Sequence, residues 1–134
     1  MDRLQKQMEF IVEVDKVKKI MRQTYLSDAS RKEDDAEHSW HLALMAVLLK
    51  EYSNEEVDLS KVIPMVLAHD LVEIDAGDTY AYDEKGATTK EYREKQAAER
   101  IYGLLPEDQG QWLKALWEEF EAYETPEAKF AHVL

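Results

Sequence analysis

Two histidines thirty-one residues apart, His38 and His69, sit at the edges of apolar runs, and the second is followed at once by Asp70. His38 opens the run that reaches Leu49, and His69-Asp70 closes the run Val62-Ile63-Pro64-Met65-Val66-Leu67-Ala68. Imidazole and carboxylate ligate borderline or hard divalent cations, and their burial is costly unless they are hydrogen-bonded or hold an ion. The three residues therefore point to a metal site in a helical core. The alternative is a pair of core histidines satisfied by backbone carbonyls. On a continuing helix, Glu73 lies four residues after His69 and three after Asp70, so its carboxylate projects toward both. Neighbouring carboxylates repel in a low-dielectric setting, and a cation between them would turn that repulsion into a reason for their placement. A frayed helix end facing solvent is the other reading of Glu73. Asp78 follows Gly77, which permits a sharp turn back over the cluster, although Gly-Asp also occurs in ordinary turns. His41, one turn after His38, reads as a packing or supporting group, and His132 as a surface or supporting one.

The elements that must position these residues read as helices, with no alternating, β-branched run of the kind that marks a half-buried strand. The expectation is an all-α bundle of about six helices in one domain spanning residues 1–134. Leu4, Met8, Ile11, Val12, Val17, Ile20 and Met21 recur at helical spacing and predict a first amphipathic helix fading near Tyr25 and Leu26, followed by a loop from Ser27 to Asp34. Asp34 or Asp35 caps a second helix running to about Tyr52, with Glu37 at its positive end. Asp58 caps a third, which carries Pro64 near its start and ends between Asp70 and Ile74. Both helices are apolar almost all round, as central elements are. Residues 75–86 look irregular, and helices follow over about Thr88 to Leu104 and beyond Pro106, the latter with an apolar stripe of Trp112, Leu113, Leu116, Trp117 and Phe120. Thr125-Pro126-Glu127 starts a last helix that reaches the end of the sequence with no C-terminal cap, which suggests that it continues past Leu134.

With 134 residues, the chain is long enough to bury a core unaided. The absence of cysteine excludes disulfides and thiolate chemistry and fits a reducing compartment. A net charge of −12 argues against nucleic-acid binding, which depends on many Lys and Arg contacts to phosphate, but one cation and one or two arginines suffice for a small anion. No apolar stretch is long enough to span a bilayer, so the expectation is a soluble cytoplasmic protein without a membrane partner.

Taken in order, Glu37-His38-Ser39-Trp40, His69-Asp70-Leu71-Val72-Glu73 and Gly77-Asp78 resemble the signature of HD-domain phosphohydrolases, most closely the 5'-deoxyribonucleotidase-like branch. The similarity runs from Arg22 to Leu134. It implies an HD-domain helical bundle that holds one divalent cation (Mn, Co, Fe, Ni or Zn) on His38, His69, Asp70 and a fourth ligand expected near or just past Leu134. It also implies that Glu73 assists the attacking water, that Asp78 acts as an acid/base or orienting group, and that Arg22 holds the substrate phosphate. The other reading of Arg22 is an ordinary surface arginine. The implied reaction is hydrolysis of a nucleoside 5'-monophosphate by a homodimer. Other branches of the family cleave phosphodiesters or pyrophosphates, and a non-catalytic helical interaction module is the alternative of another class. One departure stands out: Gln23 follows Arg22 where the branch carries an aromatic residue at the sugar, which puts the preference for deoxyribose in doubt.

Overall fold

The structure, a computed structural model, describes residues 1–77 and 84–134. Helix α1 (Arg3–Val14) runs through a 3₁₀ segment (Asp15–Lys19) into an antiparallel hairpin of β1 (Met21–Tyr25) and β2 (Lys32–Asp34). Then follow α2 (Asp35–Leu49), a 3₁₀ turn (Lys50–Tyr52), α3 (Leu59–Ala68), the single turn α4 (Glu73–Ala76), α5 (Glu84–Tyr102), α6 (Glu107–Ala122) and α7 (Pro126–Val133). The fold is helical, as expected, and the hairpin is the departure from expectation.

The hairpin replaces both the end of the expected first helix and the loop after it. Ile20 leaves the 3₁₀ segment in an extended conformation, and its carbonyl accepts from the Asp35 N–H at 2.9 Å, which closes the base of the hairpin. At the tip, Asp28 accepts from the Ser30 N–H and Ala29 takes a left-handed φ of 60°, so the chain reverses without a glycine. A strand of five residues with only Thr24 and Tyr25 as strand formers gave no periodic signal of its own.

The face of α1 also differs from the expected one. Leu4, Met8, Ile11 and Val12 are exposed, whereas Phe10, Val14 and Val17 pack against the core, because tightening into 3₁₀ geometry after Val14 keeps Val17 on the same side. Asp34, rather than Asp35, caps α2: it accepts from the Glu37 N–H at 2.8 Å while the Glu37 side chain accepts from the Asp34 N–H at 2.9 Å. Arg31 pairs with Glu37 and, with the Asp34 N–H, pulls its carboxyl down to about 2.

Helix α3 is the central element. Val62, Met65 and Val66 join Leu42 and Ala46 of α2, Leu116 of α6 and Ala128, Phe130 and Ala131 of α7 in one core. Ala68 and the following Leu71, Val72 and Ala76 join Ala97, Ala98, Ile101 and Tyr102 of α5 and Trp117 of α6 in a second. Pro64 is the sixth residue of α3 rather than near its first turn, and the Ser60 carbonyl it leaves without a donor lies on an exposed residue. Unlike α3, α2 is not surrounded: Trp40 is 63% exposed, and Leu44, Val47 and Leu48 share its open side. Trp112 likewise leaves the expected α6 stripe and is 53% exposed.

Gly110 lets α6 seat against the end of α5, since a methyl group there would stand 2.3 Å from the Tyr102 carbonyl oxygen. Gly110→Ala therefore lowers stability by about 1–3 kcal/mol through forced separation of the two helices, although alanine alone favours a helix by about 1 kcal/mol. A urea-unfolding midpoint equal to or above that of the parent chain would contradict this seating.

Candidate metal centre

Three elements converge on one polar cluster in the otherwise apolar interior. The start of α2 supplies Asp35 and His38, the segment after α3 supplies His69, Asp70 and Glu73, and β1 supplies Arg22. The expected continuous helix from His69 to Glu73 is not formed. Ala68 ends α3, and the chain proceeds through tight turns with Leu71 N–H to Ala68 O at 3.2 Å, Glu73 N–H to Asp70 O at 3.0 Å and Ile74 N–H to Leu71 O at 3.1 Å. These i to i+3 bonds wind the backbone more tightly than an α-helix and still bring the Asp70 and Glu73 carboxylates to one side.

Donor atoms of His38, His69 and Asp70 all lie within 4.8 Å of one another, and so do donor atoms of Asp35, Asp70 and Glu73. The imidazole rings of His38 and His69 are 6.4 Å apart. Each ring is held through Nδ1. His69 Nδ1 donates to the Val66 carbonyl at 2.6 Å, and His38 Nδ1 lies 2.9 Å from the Glu33 carboxylate. The hydrogen-bonded core histidine and the ligand are thus compatible readings of His69, because a ligating imidazole uses its second nitrogen in this way. Nε2 of His69 is 3.1 Å from Asp70 Oδ1. Phe120 packs on the His69 ring at 4.8 Å, and His132 stacks on the other side of Phe120 at 3.9 Å while donating to the Phe120 carbonyl. His132 therefore supports the site through Phe120, whereas His41 is exposed and stacks on Trp40.

The electrostatics are those of excess buried negative charge. Arg22 Nη1 lies 3.1 Å from Asp70 Oδ2 and 3.5 Å from Asp35 Oδ1. Burial, then contact with Asp35 and repulsion from Asp70, hold the Glu73 carboxyl well above the ordinary glutamate range, and burial also raises Asp35. Asp35 is 1% exposed, and neither of its oxygens receives a hydrogen bond; Glu73 Oε2 is likewise unpartnered. Orphaned buried carboxylate oxygens beside two imidazoles fit a divalent cation, both in donor chemistry and in charge. Behind the cluster, the Tyr102 hydroxyl donates to the Ala68 carbonyl at 2.8 Å and fixes the end of α3, and burial raises the Tyr102 phenol.

Sequence reasoning missed Asp35 and Glu33 as members of this site. Asp35 precedes His38 by three residues, the spacing of one helix face, but its competition with Asp34 as helix cap concealed this. Glu33 was hidden because no strand was expected before α2. Asp78 lies outside the described residues.

A family model described as HD domain matches residues 14–134. The human 5'-deoxynucleotidase HDDC2 is 30% identical over 95% of this chain and 61% of its own length, and that of Dictyostelium discoideum 35% identical over 72% and 53%. The chain thus spans about three fifths of the length of the first of these curated relatives. A crystal structure of a "predicted metal-dependent phosphohydrolase" from Magnetospirillum magnetotacticum MS-1 superposes with a TM-score of 0.87 and 56% identity over 96% of this chain and 66% of that one. The PH0347 protein from Pyrococcus horikoshii OT3 shares the fold, with a TM-score of 0.73 at 22% identity over 94% of this chain and 70% of that one.

Arg22→Met leaves Asp35 and Asp70 without their cation. In chelator-treated protein it lowers stability by about 2 kcal/mol, less than the roughly 3–5 kcal/mol of a fully buried pair because the guanidinium is partly exposed. Unchanged urea unfolding would show that the guanidinium does not balance the cluster.

Proposed function

The chain belongs to the HD-domain family, and on that footing we propose that it is a metal-dependent phosphohydrolase acting on nucleoside 5'-monophosphates. The observation that carries this reading is the convergence of His38, His69 and Asp70 within 4.8 Å, with Arg22 and Glu73 on the same cluster. When bound there, a divalent cation supplies Lewis acidity that lowers the pKa of water and polarises a phosphoryl oxygen. Which divalent metal serves is left to the donor chemistry: mixed imidazole and carboxylate ligation suits Mn, Co, Fe, Ni or Zn.

The protein's own groups have distinct roles in this reading. Glu33 and the Val66 carbonyl hold the two imidazoles by Nδ1, so both rings turn Nε2 inward. Glu73 accepts the proton of the attacking water once a cation beside it has displaced the proton that burial and the neighbouring carboxylates otherwise hold there. Arg22 receives the phosphate through its guanidinium, and Asp78 orients the water or protonates the departing alkoxide. A cavity of about 540 Å³ beside His38, bordered by Tyr25, Glu33, Trp40 and Met45, is of a size to take a nucleoside. The reading extends to a homodimer, supported by the open apolar side of α2 at Trp40, Leu44, Val47 and Leu48. It also includes action in the cytoplasm, which the absence of cysteine suits. Among the described residues, no helix is long and apolar enough to cross a membrane.

Full-length protein loaded with Mn2+ or Co2+ should release inorganic phosphate from a panel of nucleoside 5'-monophosphates and leave phosphodiesters intact. His69→Ala should abolish cation binding and turnover together while the protein remains folded. Inert monophosphates alongside cleaved diesters or triphosphates would move the assignment to another branch, and retention of both properties by His69→Ala would reject the ligand assignment. Cation binding should also raise the melting temperature, with about 2.7 kcal/mol of added stability at a hundredfold excess over Kd. Melting unaffected by every divalent metal tried would contradict the site.

A further inference from the structure

Tyr102 ends α5 with its side chain 1% exposed, in the core that holds Leu71, Val72, Ile101 and Trp117, and its hydroxyl donates to the Ala68 carbonyl at 2.8 Å. A phenylalanine would fill the same core. A buried hydroxyl costs free energy unless it is hydrogen-bonded, and the partner of this one is the carbonyl just before His69 and Asp70. We propose that Tyr102 is a positioning residue of the metal centre: by occupying the Ala68 carbonyl, its hydroxyl holds the following chain in the tight turns that bring Asp70 and Glu73 together beside His69. The proposal rests on the phosphohydrolase reading for the cation site of His38, His69 and Asp70.

The backbone supports this role. His69 has φ −63° and ψ −30°, which suit a helix, and no glycine or proline follows before Gly77, so nothing in the local sequence makes the chain leave the α form. In a continuing α-helix the Ala68 carbonyl would accept from the Val72 N–H. Instead it accepts from the Leu71 N–H at 3.2 Å and from Tyr102, 34 residues along the chain. The Val66 carbonyl of the same last turn is taken by His69 Nδ1 at 2.6 Å. Two carbonyls that end α3 are thus served by side chains, one belonging to a ligand and the other to Tyr102. The consequence is angular. Side chains three residues apart eclipse in 3₁₀ winding but stand about 60° apart on an α-helix. The donor atoms of Asp70 and Glu73, within 4.8 Å of each other, accord with the tighter winding. Tyr102 can impose it because it is itself held. Its backbone carbonyl accepts from the Leu105 N–H at 3.3 Å, and a methyl group at Gly110 would stand 2.3 Å from the same oxygen, so α6 presses on this end of α5. Burial first, then Asp70 and Glu121, hold the phenol above its ordinary range, so the hydroxyl remains a donor.

The test is Tyr102→Phe in the full chain, which removes one oxygen and leaves the ring in the core. Chelator-treated parent and variant are titrated with Co2+, whose visible absorption bands report its coordination geometry. The variant should bind Co2+ about tenfold to a hundredfold more weakly and show altered bands at saturation. It should also lower kcat for nucleoside 5'-monophosphates with KM little changed, since Arg22 is untouched. Ile101→Val thins the same core but leaves the Tyr102 hydroxyl in place, and it should keep the parental affinity and bands despite a lower urea-unfolding midpoint. A folded Tyr102→Phe variant with parental Co2+ affinity and bands overturns the proposal, as does an equal loss of affinity in Ile101→Val. Co2+ binding without phosphate release from any monophosphate would reject the phosphohydrolase reading, while the affinity and the bands still decide the role of Tyr102. A parent chain that binds no Co2+ overturns both.

Discussion

Three carboxylates and one guanidinium share a pocket in the middle of a helical protein, and much of the molecule is arranged to make that tolerable. A carboxylate removed from water loses several kcal/mol of hydration, and close like charges add repulsion. Asp35, Asp70 and Glu73 meet both costs at once, with Arg22 as the one fixed positive charge among them. Burial first, and the neighbouring carboxylates after it, raise the proton affinity of Asp35 and Glu73. The imbalance also makes the site a strong attractor for divalent cations.

Such a cluster needs its parts held from outside. The hairpin exists in the right place for this: the Ile20 carbonyl receives the Asp35 N–H, so the strand that carries Arg22 and the helix that carries Asp35 and His38 are joined by one backbone bond. On the opposite side, the Tyr102 hydroxyl grips the Ala68 carbonyl, and Gly110 lets α6 come close enough to Tyr102 to keep it there. Phe120, backed by His132, presses on the ring of His69. The apolar cores on the two sides of α3 thus act on the polar site through named contacts, which restrict the rotamers of its side chains.

Much of this was legible in the residue order. The apolar runs around His38 and His69, the Asp58 and Thr125 caps and the helical class of the chain all survive in the structure, because burial and capping are local or periodic properties. The hairpin was not legible, since Met21-Arg22-Gln23-Thr24-Tyr25 carries weak strand propensity and owes its conformation to pairing with a separate segment, Met21 with Asp34 and Tyr25 with Lys32. The break in the helix at Ala68 was equally hidden: no glycine or proline marks it, and the turns that replace it are fixed by contacts of Leu71 and Val72 with α5 and α6. Apolar character misled where it stood for burial, as at Trp112 on α6 and Trp40 on α2, because composition cannot tell a face packed on the core from one left open. Asp35 escaped notice for a related reason, as acidic residues at helix starts are ordinary and only the three-dimensional arrangement shows this one turned inward.

Arg22 shows how, in the proposed function, the site would reconcile an anion with so many carboxylates. The guanidinium is anchored by Nη1, which bonds to Asp70, while its Nε has no hydrogen-bond partner and lies 3.9 Å from Glu33. Five donors in a rigid fork allow one edge to be tied to the protein while another is presented to a ligand, which a lysine ammonium could not do with the same geometry. The carboxylates that hold the arginine in place are the same ones that would face a cation bound on this cluster. Positive charge brought into the cluster therefore weakens their hold on the guanidinium and strengthens its pull on an incoming phosphate, so the acidic surroundings, unfavourable to an anion by themselves, become the means of assembling a place for one.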